Sequence, residues 1–215
     1  MSDKTLRLIE TYLSIQGEST KAGLPCVFVR TAGCNLRCTW CDSTWTFTGG
    51  ERKSLKSIIE EVRSFGVNLV EVTGGEPLLQ KESFELMTML AEDGFDVMVE
   101  TSGSISIEDL DQRVHVVMDL KAPDSGEEPA NLWSNLEHLK ASDDVKVVLA
   151  SRRDYEWAVS AISEHNLKRF NVLFSPVHGT LEPKDLAEWI IEDKVIVRMQ
   201  LQMHKSIWPP DMRGV

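Results

Sequence analysis

The sequence predicts an α/β fold: a partial (open) βα barrel on a mostly parallel sheet, in a single domain spanning residues 1–215. Three observations predict it. Short β-branched runs alternate along the chain with segments of helical apolar spacing, the order that builds parallel strands joined by crossover helices. Six to seven such units occur, short of the eight that close a barrel. At 215 residues and 42% hydrophobic, the chain suits one core, and it shows no repeat, low-complexity segment or long linker.

The elements follow in order. Behind Met1 to Thr5 comes an alternating segment. Val27 to Arg30, between Pro25 and Gly33, reads as a strand. Leu55, Ile58, Ile59 and Val62 fall on one helical face, with Ser54 placed to cap it. Leu69 to Thr73 is a strand stopped by Gly74 and Gly75, and Ser83 to Glu92 a helix ended by Gly94. Asp96 to Glu100 and His115 to Leu120 are strands. Asn131 to Leu139 reads as a helix, Val145 to Leu149 as a strand, Tyr155 to Ile162 as a helix and Phe170 to Phe174 as a strand. Pro183 opens a helix carrying Leu186, Trp189 and Ile190 on one face, and Val195 to Gln202 closes as a strand. In such a sheet the ligand site lies at the carboxyl ends of the strands.

Lys and Arg total 23 against 34 Asp and Glu, a formal charge of −11. That balance argues against broad binding of nucleic acid through phosphates. No run approaches the roughly 18 apolar residues of a membrane span. The N-terminus has no apolar signal region, so a cytoplasmic location with reduced cysteines is expected.

Three of the four cysteines, Cys34, Cys38 and Cys41, fall within eight residues after the first parallel strand. A loop this compact can wrap an iron–sulfur cube and leave one iron free for another ligand. A zinc site is the competing reading, but it would need a fourth ligand from Cys26 or a distant histidine. Cys26 adjoins an apolar strand and reads as a small buried residue. Gly74 and Gly75 permit close backbone approach.

With Thr73 to Pro77, Glu100 to Gly103 and Asp119 to Lys121 each ending a strand, the cysteine spacing resembles the radical S-adenosylmethionine superfamily, and the fold expected is its open barrel. The resemblance implies a [4Fe-4S] cluster on Cys34, Cys38 and Cys41, and a cofactor site formed by Trp40, Cys41, Asp42, Gly75, Ser102, Asp119, Leu120 and Lys121. Ser14 to Ser19, Arg30, Cys41 to Ser43, Met118 to Pro123, Asp154 to Ala158 and Gln202 to Lys205 narrow it. They resemble the branch that contracts 6-carboxy-5,6,7,8-tetrahydropterin to 7-carboxy-7-deazaguanine, losing ammonia, in 7-deazapurine (queuosine) biosynthesis. That branch implies pterin contacts at Ile15, Gln16, Gly17, Glu18, Arg30 and Thr73, and Mg2+ on Ser43. It also implies a flavodoxin or ferredoxin as reductant, and a homodimer. Arg30 offers a planar fork suited to a carboxylate; Ser43 offers a hard oxygen suited to Mg2+ and could equally cap a helix. The chain departs from the branch at Ser19, where a glycine is usual, at Asp119-Leu120-Lys121, where some members carry Ser-Pro-Lys, and in a tail that runs past Pro210. A glycyl-radical activating enzyme shares the cysteine spacing, and a non-catalytic zinc module is the reading from another class.

Overall fold

The computed structural model describes residues 4–215; Met1 to Asp3, part of the N-terminal reading, lie outside it. The strands are β1 (Thr5–Ile15), β2 (Pro25–Thr31), β3 (Glu51–Ser54), β4 (Leu69–Gly74), β5 (Asp96–Thr101), β6 (His115–Leu120), β7 (Asp144–Leu149), β8 (Asn171–Pro176) and β9 (Arg198–Met199). They form one sheet in the order β3-β1-β2-β4-β5-β6-β7-β8-β9. From β2 to β9 every neighbouring pair is parallel, while β1 runs antiparallel to β2 and β3. The sheet does not close, as an incomplete set of βα units requires.

The helices are α1 (Leu55–Ser64), α2 (Glu82–Glu92), α3 (Arg152–Glu164), α4 (Pro183–Glu192) and the short α5 (Met203–Ile207). Ser54 caps α1 by accepting a hydrogen bond from Ser57 N. Ile58, Ile59 and Val62 of α1, Leu86 and Leu90 of α2, Ala158 and Ile162 of α3 and Leu186 of α4 share a core with Val29, Val72, Val99, Leu120 and Val147 of the strands. Because side chains alternate across a strand, their neighbours Arg30, Thr73, Glu100, Asp119 and Lys146 face the other way, into the barrel. A small apolar floor of Cys26, Phe28, Leu69, Met98 and Val117 lies on that inner face. Among the described residues no helix is long and apolar enough to cross a membrane.

Two expected elements are corrected. Asn131 to Leu139 forms only a 3-10 turn over Trp133–Glu137. Asn135 is fully buried there, accepting from Ile107 N and donating to Gly103 O and Ile105 O, so its amide plugs a neighbouring loop and the backbone follows a tighter turn. The strand expected over Val195 to Gln202 shrinks to Arg198–Met199. This edge has one neighbour, β8, and Ile196 projects outward.

Candidate active site

The carboxyl ends of the parallel strands open into a cavity of about 700 Å3. Past β2 the chain enters the loop of Cys34, Cys38 and Cys41, whose free thiols are half-buried and line the cavity. Local hydrogen bonds hold the loop: Cys41 N donates to Cys38 O at 3.1 Å, and Thr39 N to Ser125 O at 2.9 Å. Leu36 N donates to Cys34 Sγ at 3.4 Å. Burial raises the thiol pKa of Cys34 and Cys38, so a metal that takes their thiolates must displace protons. Gly75 presses on this loop. A Cβ at Gly75 would sit 2.3 Å from Gly33 O and 2.7 Å from Cys34 Cβ, so a side chain there would displace the cysteines.

Cys26 is fully buried in the apolar floor, with its thiol pushed well up by burial. Among the described residues no three His, Cys, Asp or Glu side chains are grouped as around a single ion. The three loop thiols line one wall of the cavity, and Cys26, sealed in the floor, does not line it, so a fourth cysteine is not offered there for a closed zinc site.

The adjoining wall holds Trp40, Asp42, Gly75, Ser102, Asp119 and Lys121, all cavity-lining. Glu76, fully buried, organises it by accepting from Thr101 Oγ1 (2.9 Å), Ser102 N (2.8 Å) and Ser102 Oγ (2.6 Å). Lys121 Nζ donates to Asp119 Oδ2 at 2.8 Å, while Asp119 Oδ1 is buried with no partner among the described residues. An orphaned carboxylate oxygen beside the cysteines is a ready acceptor for ligand hydroxyls. Strand alternation turns the side chain of Leu120 into the core, so between Asp119 and Lys121 it faces the cavity with backbone alone. Ser43 lines the cavity, and its Oγ donates to Asp42 Oδ1 at 3.0 Å. Ser43 precedes a 3-10 turn at Thr44–Thr46 but makes no side-chain cap.

The third wall gathers Ile15, Gln16, Gly17, Glu18, Arg30 and Thr73. Gln16 is buried; its Nε2 donates to Glu71 Oε2 at 2.5 Å, and its Oε1 accepts from Glu18 N. Gly17 lies under α5, where a Cβ would meet His204 Nδ1 at 2.8 Å. Ser19 keeps the left-handed backbone (φ 75°) that suits the usual glycine. Arg30 Nε donates to Glu10 at 2.9 Å and Nη2 to Tyr12 Oη at 2.5 Å.

Several residues of this wall escaped sequence reading. Lys146 is buried and pairs with Glu18 at 2.8 Å and with Glu100. Burial opposes its charge, but Glu100 and Glu18 outweigh that and raise its pKa well above the ordinary value. Glu71 is pushed up to about 8, first by burial and then by Glu100. Tyr12, Glu10, Trp45 and His204 also line the cavity. One signal was present for Lys146: a lone charge inside an apolar run, Val145 to Leu149. Glu71 breaks the Leu69-to-Val72 run in the same way.

An open parallel sheet with three free thiols on the loop after its first parallel strand, backed by a glycine pair, defines the radical S-adenosylmethionine class. The family model described as Radical SAM superfamily matches residues 28–190. The chain is 44% identical over 219 residues to the 7-carboxy-7-deazaguanine synthase of Chlorobaculum tepidum, covering 100% of this chain and 99% of that relative. It is 42% identical over 226 residues to the synthase of the same name from Koribacter versatilis, covering 98% of this chain and 100% of that one. The crystal structure of QueE from Escherichia coli shares the fold, with a TM-score of 0.77 over 93% of this chain and 95% of that one, at 22% identity. The chain therefore belongs to the Radical SAM superfamily and, within it, to the 7-carboxy-7-deazaguanine synthases. Membership implies a [4Fe-4S] cluster and S-adenosylmethionine, which the thiol loop and the orphaned acceptor of Asp119 fit.

Proposed function

We propose that the chain converts 6-carboxy-5,6,7,8-tetrahydropterin to 7-carboxy-7-deazaguanine and ammonia. One observation carries the reading: a single cavity brings together the thiol loop, the glycine-backed cofactor wall and the polar set of Gln16, Glu18, Arg30 and Thr73. Substrate and products balance without an external oxidant. Cys34, Cys38 and Cys41 would hold the cluster, which with S-adenosylmethionine would supply radical hydrogen-abstraction chemistry at C6 of the pterin.

The chain's own residues orient the substrate for that step. Arg30 presents its remaining N–H donors to the carboxylate, a charge-assisted pairing. Glu71 fixes the amide of Gln16, so the polar edge of the pterin meets a preset donor and acceptor. Glu18 stays charged: burial opposes this, but Lys146 holds its pKa down. Ser43 would give one oxygen to a Mg2+ ion, which would offer the substrate a local positive charge. A flavodoxin or ferredoxin delivers the priming electron, and the chain works as a homodimer.

Anaerobic cluster reconstitution, followed by assay with S-adenosylmethionine and the tetrahydropterin, tests the reading. Formation of 7-carboxy-7-deazaguanine with equimolar ammonia is expected. Reconstituted protein that leaves the pterin untouched but places a radical on a glycyl-radical partner would overturn it.

A further inference from the structure

One cation at the cavity mouth has no place in the chemistry above. The C-terminal segment is fastened across the mouth at three points. Met203 N donates to Gly17 O at 3.1 Å, Gln202 Nε2 to Glu18 Oε1 at 3.0 Å, and Lys205 Nζ to Asp42 Oδ2 at 2.6 Å. Beyond α5, Pro210 to Val215 line the cavity. Arg213 lies there with its Cζ 4.4 Å from the centre of the Trp45 ring. Arg30 Cζ lies 5.5 Å from the centre of the same ring. The two guanidiniums therefore share one indole, two residues past Ser43.

We propose that Arg213 is a second, specificity-determining cation of this cavity, pairing with the carboxylate of the substrate alongside Arg30. The proposal rests on the tetrahydropterin reading and deepens it. Arg30 alone is poorly free for the task. Its Nε and Nη2, one full edge of the fork, already donate to Glu10 and Tyr12, and Glu10 balances much of its charge. The lysines that also line the cavity are already paired: Lys121 with Asp119, Lys146 with Glu18 and Glu100, and Lys205 with Asp42. A substrate carboxylate is therefore best met by a cation that has no carboxylate partner of its own. Arg213 makes no ion pair with a carboxylate among the described residues. Stacking uses the face of its guanidinium, and the N–H donors lie in the plane, so all of them stay available for a bidentate pair.

The test compares two ligands on the reconstituted holoenzyme with S-adenosylmethionine present: 6-carboxytetrahydropterin and tetrahydropterin lacking the carboxyl group. Equilibrium binding is measured for wild type, Arg213→Ala and Arg213→Lys, with iron content as a check on the cluster. Arg213→Ala should weaken the carboxylated ligand about tenfold, raise its KM by a similar factor and leave the uncarboxylated ligand unchanged; a lysine should restore part of the loss. Equal weakening of both ligands would show that Arg213 only seats the tail and would overturn the proposal, as would no weakening of either. If wild type itself fails to turn over the carboxylated pterin, the functional reading falls; if wild type turns it over and the Arg213 variants treat the two ligands alike, only the role of the arginine falls.

Discussion

At the residue scale, the four cysteines divide cleanly by environment. Cys34, Cys38 and Cys41 line the cavity, while Cys26 is sealed among Phe28, Met98 and Val117. Cys38→Ala should lose the charge-transfer absorption of the reconstituted cluster, and Cys26→Ala should keep it. Retention of the cluster in Cys38→Ala with loss in Cys26→Ala would reverse the assignment. Ser43 makes a second prediction. Its hydroxyl bonds only Asp42 and caps nothing, so it is spare for a cation. Activity should rise with added Mg2+ in wild type, and Ser43→Ala should lose most of that response with its iron content intact. An unchanged Mg2+ dependence would leave Ser43 a plain loop residue. That these residues share the cavity wall was legible because thiol spacing and a hydroxyl next to it are local facts. That the side chain of Leu120 turns into the core was not legible from a motif of three consecutive residues, because a strand shows only alternate side chains to one face.

At the element scale, the ends of β4 through β8 were readable and their partnerships were not, while β3 was missed and β9 overextended. The apolar runs of β4 through β8 announced themselves, as did the cap at Ser54. The helix expected over Asn131 to Leu139 failed because a buried amide 28 residues from its partner Ile107 outranked apolar spacing. Glu71, Glu100 and Lys146 come from three strands, and only the register of the sheet brings them into one cavity. The junction of β4 with the cysteine loop gives a prediction at this scale. Gly75→Ala must move backbone atoms, since Gly33 O would lie 2.3 Å from the new methyl carbon. Iron incorporation should fall severalfold, with the helical circular dichroism of the fold retained. Normal iron content in that variant would show that the glycine is not needed for close packing on the loop.

At the scale of the whole molecule, stability should carry the mark of the acidic cavity. Glu71 titrates near 8 when folded and near 4.5 otherwise. Between those values only the folded chain holds this proton, so unfolding releases it and stability falls as pH rises. Above about 8 both states have lost it and the slope ends. Glu71→Gln removes this slope. The stability of the variant relative to wild type should therefore climb from pH 4.5 to 8, by on the order of a few kcal/mol, and level off. Urea unfolding at a series of pH values measures it, and parallel profiles for the two proteins would contradict it. Nothing in the net charge of −11 foretold this, because the effect depends on which acids share the inner face.

The open sheet leaves a seam between its antiparallel start and its last short strand. Among the described residues no ladder of backbone bonds crosses it there. Instead Gln200 grips Ser19, accepting from its N–H at 2.8 Å and donating back to its carbonyl. Thr20 is held from β7 by Asp144. Strand pairing thus runs around most of the circumference, and along this one line the join depends on side chains and the backbone bond from Met203 N to Gly17 O. Breathing of the cavity concentrates on that line. The amide of Ser19 should exchange its hydrogen well before those of β4 or β7, and a bulky ligand would enter by loosening one glutamine while every strand pairing stays intact.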